Sequence, residues 1–180
     1  MVLVILFSSL LTVCGQEQRK EAPPFKDRLF YGGSFGLQFG TFTDISVSPV
    51  VGLWALSRIN VALGPDFRYY KFPGFHTTIY GGKLYTELVF VEDFNNIIPL
   101  GVHLGLFLHA EDEVLSLESE AFKSPPYNSN RFLISTILVG GGVRQQMGLK
   151  SSLNFTFLWA LNNSEYGIYG NPEIRISFFF

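Results

Sequence analysis

Charge is what this sequence has little of. Only 16% of its 180 residues are Asp, Glu, Lys or Arg, against about 25% in soluble globular domains. The 13 basic and 15 acidic residues nearly cancel, and a net charge of −2 removes the electrostatic case for nucleic acid as a partner. Cysteine is nearly missing. Cys14 stands alone, which excludes a disulfide framework and a thiolate metal site. Long apolar runs are missing too. No stretch approaches the roughly 20 apolar residues of a membrane-spanning helix, although 47% of the chain is hydrophobic and 16% aromatic. The apolar residues are therefore dispersed, and at this length they belong to one domain.

The dispersal has period two, the signature of strands with unlike faces. Leu29, Tyr31, Gly33, Phe35, Leu37 and Phe39 alternate with Phe30, Gly32, Ser34, Gly36, Gln38 and Gly40. Ile45, Val47, Val51 and Leu53 alternate with Ser46, Ser48 and Gly52, and Pro49 in their midst predicts a bulge. Ile59, Val61, Leu63, Phe67 and Tyr69 oppose Asn60, Gly64, Asp66, Arg68 and Tyr70. Further strands are predicted over 78–90, 100–111, 133–143 and 152–161. Glu173, Arg175, Ser177 and Phe179 alternate with Ile174, Ile176, Phe178 and Phe180 at the end of the chain. The count comes to about eight strands, a common size for small barrels.

The polar faces carry Gly, Ser, Asn and Thr, with too little charge for a water-covered exterior. A soluble calycin-like barrel would turn its apolar faces inward and coat the outside with charge; the G-x-W motif of a lipocalin first strand is also missing. A closed barrel with its apolar face in lipid fits both facts. Outward Tyr69, Tyr80 and Trp159 then mark one aromatic girdle, and Tyr31, Phe90 and Phe180 the other.

At the N-terminus, residues 1–15 read as a signal peptide: apolar Met1–Thr12, then Val13, Cys14 and small Gly15 before a cut at Gln16. Cys14 leaves a lipidated alternative open, against which Val13 is bulkier than the residue usual before a lipidated cysteine. Residues 16–28, polar and bearing Pro23-Pro24, form a flexible lead, and the barrel spans 29–180.

The stretches YGGSFGLQFG (Tyr31–Gly40), VSPVVG (Val47–Gly52), HAEDEVLSLE (His109–Glu118), LVGGGVRQQMG (Leu138–Gly148) and the terminal NPEIRISFFF resemble the small eight-stranded outer-membrane barrels of Gram-negative bacteria, the OmpA/OmpX-like and OmpW-like group. The resemblance runs from about Leu29 to Phe180. It implies an all-β, antiparallel up-and-down transmembrane barrel in the outer membrane, with the lead on the periplasmic side. It also implies that terminal Phe178 and Phe180 form the signal read by the barrel-assembly machinery. The partners expected are outer-membrane lipid and that machinery, with the chain a monomer and any extracellular partner unknown. With the N-terminus periplasmic, connections three, five and seven are predicted to be longer than turns two and six.

Inward Arg68, Lys83, Glu87, His103, His109, Glu111, Arg144, Glu173 and Arg175 are predicted to form a polar network in the lumen, because an unpaired charge in a narrow barrel is costly. Glu113 falls on the same face. At about 3.3 Å per residue His103 and His109 are roughly 20 Å apart and cannot share an ion. Gly140-Gly141-Gly142 lies in a strand and lacks the Lys-Ser/Thr of a phosphate loop. His76 beside Thr77 and Thr78 is the one hint of a nucleophile and base, and no His-x-Ser stretch like that of barrel deacylases is present. No catalytic residue, cofactor or metal is therefore assigned. The long polar segment 116–130, with Glu118, Tyr127 and Asn128, is the candidate binding loop. The expected role is a membrane scaffold displaying loops around a plugged lumen; a small pore is the alternative, and a lipid-modifying enzyme a weaker one.

Overall fold

The computed structural model describes residues 24–38, 43–72, 74–99, 101, 103–126, 128–148, 151–162, 166, 168–169 and 172–180. The expected signal peptide, Cys14, the first part of the lead and Tyr127 lie outside the described residues. Eight strands follow in order: β1 (Leu29–Gln38), β2 (Thr43–Trp54), β3 (Ile59–Phe72), β4 (Phe75–Val91), β5 (Leu104–Glu118), β6 (Arg131–Gln146), β7 (Ser152–Ala160) and β8 (Glu173–Phe179). Each pairs antiparallel with the next, and β8 pairs with β1, so the sheet closes. This is the all-β, eight-stranded up-and-down barrel that the alternation predicts. β1 begins and β8 ends at one end of the barrel, the near end; the connections after β1, β3, β5 and β7 lie at the far end.

Alternation turns one face of every strand inward. Ser48, Asn60, Asp66, Thr136 and Asn154 are buried, whereas Leu37, Val47, Leu63, Phe67, Leu84, Leu108 and Phe157 are exposed on the outside. A polar interior within an apolar exterior is the reverse of a water-soluble barrel. The six residues read as aromatic girdles, Tyr31, Tyr69, Tyr80, Phe90, Trp159 and Phe180, are all exposed on that outer face.

The closing seam is short. β1 and β8 pair only from Gly32↔Phe179 to Phe35↔Ile176, extended by reciprocal backbone hydrogen bonds between Tyr31 and Phe180 of 3.1 and 2.8 Å. Glycine makes the approach possible at Gly32, where a Cβ would collide with the Phe178 carbonyl oxygen. The glycine run of β6 serves the same end: Cβ atoms at Gly140 and Gly142 would collide with carbonyl oxygens of β7.

Several expectations are corrected. No bulge forms at Pro49. Val47↔Phe67 and Val51↔Leu63 keep one register, which sets Pro49 opposite Pro65, and pairing lapses only over the short stretch between. Two residues without N–H groups thus share one gap in the ladder. The register shift lies instead on β4, between Val89 and Val91. The connection after β3 is a tight hairpin closing at Phe72↔Phe75, with Gly74 at φ 85°, so the expected long third connection is shorter than the turn after β2. The fifth strand, expected from residue 100, starts at Leu104, because a 3-10 turn (Phe94–Asn96) capped by Asp93 and a left-handed Gly101 at φ 72° lengthen the connection before it. Residues 116–118 belong to β5 rather than to a loop, followed by a helical turn, α2 (Ser119–Phe122). The last part of the lead is likewise a helical turn, α1 (Phe25–Arg28), followed without a break by β1; Arg28 Nε donates to the Trp54 carbonyl at 2.8 Å.

Candidate functional site

The strands bring their inward charges to one layer across the lumen. Arg68 on β3 is its hub, with a side chain only 1% exposed. Its Nη2 donates to both carboxylate oxygens of Glu113, at 3.0 and 2.8 Å, and its Nε to Asp66 at 3.1 Å. Asp44 and Glu173 each offer it a further oxygen at 3.5 Å. Arg175 on β8 donates through Nε to Glu173 at 2.7 Å and through Nη1 to Glu111 at 2.6 Å. Lys83 Nζ donates to Ser34 Oγ at 2.8 Å and lies 3.8 Å from Asp66. Ser48 Oγ donates to the same Asp66 carboxylate.

His109 links this cluster to a second branch nearer the termini. Its Nδ1 is 3.3 Å from Glu87 and its Nε2 3.3 Å from Glu111, and its ring stacks on Tyr85 at 4.8 Å. Ionised carboxylates only accept, so both bonds form only when both ring nitrogens carry protons. Glu87 in turn accepts from Arg144 and from Asn60 Nδ2, the latter at 2.9 Å, and Arg144 Nε donates to Asn154 at 3.1 Å. Among the described residues the layer holds six acidic side chains (Asp44, Asp66, Glu87, Glu111, Glu113, Glu173) and, besides His109, four basic ones (Arg68, Lys83, Arg144, Arg175). His109 makes a fifth basic group, against six acidic ones.

Apolar groups close over the layer on both sides. At the far end the inward residues of β3, β4 and β5 turn apolar, as Tyr70, Ile79, Leu115 and Leu117. Ile168 from the connection after β7 packs among them, flanked by Tyr166, Tyr169 and Phe122 of α2. Tyr169 also reaches the polar layer: its hydroxyl donates to Glu113 at 2.5 Å, and its ring centroid is 5.0 Å from the Arg68 guanidinium carbon. At the near end Phe30, Val50, Ala62, Tyr85 and Phe179 form a second cluster, with Trp54 against it. A cavity beside Lys83, Tyr85 and Arg175 measures about 10 Å³, near the lower limit for a single water.

Of the residues assigned to the lumen from sequence, the structure brings together Arg68, Lys83, Glu87, His109, Glu111, Arg144, Glu173 and Arg175. His103 is a correction. The chain enters β5 only at Leu104, so His103 lies outside the barrel, 62% exposed, with Nδ1 2.8 Å from Asp93. That hydrogen bond, aided by the Asn95 backbone N–H, holds the Asp93 carboxyl below its ordinary range. Glu118 is also corrected. As the last residue of β5 it accepts from Thr77 at 2.7 Å and Arg131 at 3.1 Å instead of standing in a loop. Asn128 is exposed at the far end. Phe178 and Phe180 point outward beside the seam.

Sequence reasoning missed Asp44 and Tyr169, and gave Asp66 and Glu113 an inward face without partners. Asp44 shares parity with Ser46 and Ser48, a signal hidden because Thr43-Asp44 reads as a turn. Tyr169 lies in a connection, where no periodicity points to the lumen.

No family model matches the chain, and no curated protein matches it. Among solved structures, the N-terminal β-barrel domain of Pseudomonas aeruginosa OprF is similar in fold, with a TM-score of 0.49 and 11% identity, covering 85% of this chain and 98% of that one. The likeness is one of fold alone. The closed antiparallel barrel of eight strands fits the OmpA-like small-barrel architecture expected from the sequence.

Proposed function

We propose that this chain is an outer-membrane β-barrel of a Gram-negative envelope, and that its lumen is sealed so that the barrel serves as an anchor displaying its far-end connections. The observation that carries the reading is Arg68: buried in the lumen, it holds carboxylates from β2, β3, β5 and β8 at once. Side chains drawn inward from several strands crowd the bore, which supports a seal, as the narrow bore of eight strands favours. The apolar exterior supports lipid as the surroundings, where only a closed sheet satisfies its backbone. In this reading the termini face the periplasm, the C-terminal strand is the segment offered to the assembly machinery, the chain is monomeric, and no residue is catalytic. Planar-bilayer recording of the refolded protein tests the seal.

A pore is the second reading, and one observation favours it. The near-end mouth holds a vestibule of about 350 Å³ beside Trp54, Asn60 and Arg144. The barrier beyond it is made of ion pairs, which can exchange partners.

A further inference from the structure

We infer that the vestibule at the near-end mouth binds an uncharged, flat aromatic molecule through a carbonyl oxygen, with Arg144 as the donor. The space measures about 350 Å³, within the roughly 300–1,000 Å³ of small-molecule pockets. Arg144 on β6 has committed two of its three guanidinium nitrogens: Nε donates to Asn154 and Nη2 to Glu87. Nη1 has no acceptor among the described residues. Arg175 Nη2 also lacks a hydrogen bond but is sealed off from solvent; Arg144 Nη1 is not sealed off, and its residue lines the vestibule.

The donor is held in place. Besides its two hydrogen bonds, the guanidinium carbon lies 5.3 Å from the Trp54 ring centroid and 5.4 Å from that of Phe107. The apolar wall beside it is aromatic. Phe30 stands 6.2 Å from Trp54 and edge-on to Phe179 at 5.4 Å, and these three rings line the same space. Arg28 anchors that wall by donating to the Trp54 and Ala55 carbonyls, both at 2.8 Å. Such rings favour a further ring packed offset or edge-on. A carboxylate would also satisfy Nη1, but the surroundings select against it. Arg144 is already paired with Glu87, and Asp27 lines the vestibule. The layer beneath holds six acidic side chains against five basic ones. A neutral carbonyl oxygen takes the free donor without adding to that excess. The site needs only the mouth of the barrel, so it stands whether or not the lumen conducts.

The chain's two tryptophans make the test. Trp54 lines the vestibule, whereas Trp159 is 47% exposed on the outer face. Indole N–H signals of ¹⁵N-labelled refolded protein in detergent micelles therefore separate binding from partitioning into the micelle. Acetophenone should shift Trp54 saturably and bind at least about tenfold more tightly than ethylbenzene, which has nearly its shape without the oxygen. Tenfold is about 1.4 kcal/mol, near the lower end for a hydrogen bond to a charged group. Benzoate should bind more weakly than acetophenone. Arg144→Lys keeps a cation beside Glu87 but removes the spare nitrogen, and should erase most of the preference for acetophenone. If that variant fails to fold, the comparison of acetophenone with ethylbenzene on the wild-type protein decides alone. Equal affinities for the two, Trp54 shifts that merely track those of Trp159, or an undiminished preference in folded Arg144→Lys protein would each overturn the site. Tighter binding of benzoate would overturn the uncharged ligand.

Discussion

Arg68 on β3 and Glu113 on β5 share no strand pair, yet they form a buried ion pair, with one guanidinium nitrogen 3.0 and 2.8 Å from the two carboxylate oxygens. β4 lies between their strands, and its inward Gly81 adds no side chain there; a Cβ would collide with the Val114 carbonyl oxygen of β5. The contact crosses a strand instead of following the ladder, and it joins the walls of the barrel through its middle.

Removing one partner from such a buried pair leaves charge uncompensated. Arg68→Met should therefore lower stability by about 3–5 kcal/mol in urea titrations of lipid-refolded protein. A loss below about 1 kcal/mol, the range of exposed pairs, would mean that the carboxylates around Arg68 hold water or protons instead.

The outer face makes a separate claim. Phe67 is exposed in the apolar belt of β3, and Phe25 is exposed on α1, off the barrel. Phe67→Arg should cost about 2–4 kcal/mol of folding free energy in lipid, and Phe25→Arg close to nothing. Equal costs would show that the belt does not meet hydrocarbon.

Closure depends on few residues. Phe178 and Phe179 supply two of the pairs that join β8 to β1, and the Phe180 backbone adds its two hydrogen bonds to Tyr31. Deleting Phe178 to Phe180 should leave two open strand edges in lipid, and immunoblots of membrane fractions should show the truncated chain strongly depleted. Normal levels of folded, heat-modifiable protein would contradict this.

Outside the barrel, pH enters through the turn after β4. The His103 hydrogen bond holds the Asp93 carboxyl below its usual value. A lowered folded-state pKa stabilises the turn above the unfolded value, and that contribution is lost as pH falls through the folded one. Carboxyl ¹³C shifts should place Asp93 below an ordinary aspartate, and His103→Ala should move it back up. An unchanged midpoint in the variant would remove His103 as the cause.

Period two made the facing of most strand residues legible, because lipid and lumen demand opposite chemistry. Arg68, Lys83 and Glu87 could be set inward on parity alone. Parity fails where the surroundings change along one strand. Leu115 and Leu117 continue the inward face of Glu111 and Glu113 but are apolar, since they meet Ile168 and not the ion pairs. That inversion made the end of β5 read as loop. Heights across strands were illegible as well: they depend on stagger, and nothing local in the sequence sets Glu113 level with Arg68. His103 shows the converse limit, since correct parity means nothing once the chain has left the sheet.

The seal across the lumen is the central claim, and single-channel recording of the refolded wild-type protein in a planar bilayer tests it most directly. With Arg68, Arg175 and their carboxylates spanning the bore beneath the Ile168 cluster, the trace should stay at baseline, without discrete steps. Reproducible conductance steps, altered by Arg68→Ala or Glu87→Ala, would contradict the seal and make the lumen a conducting path.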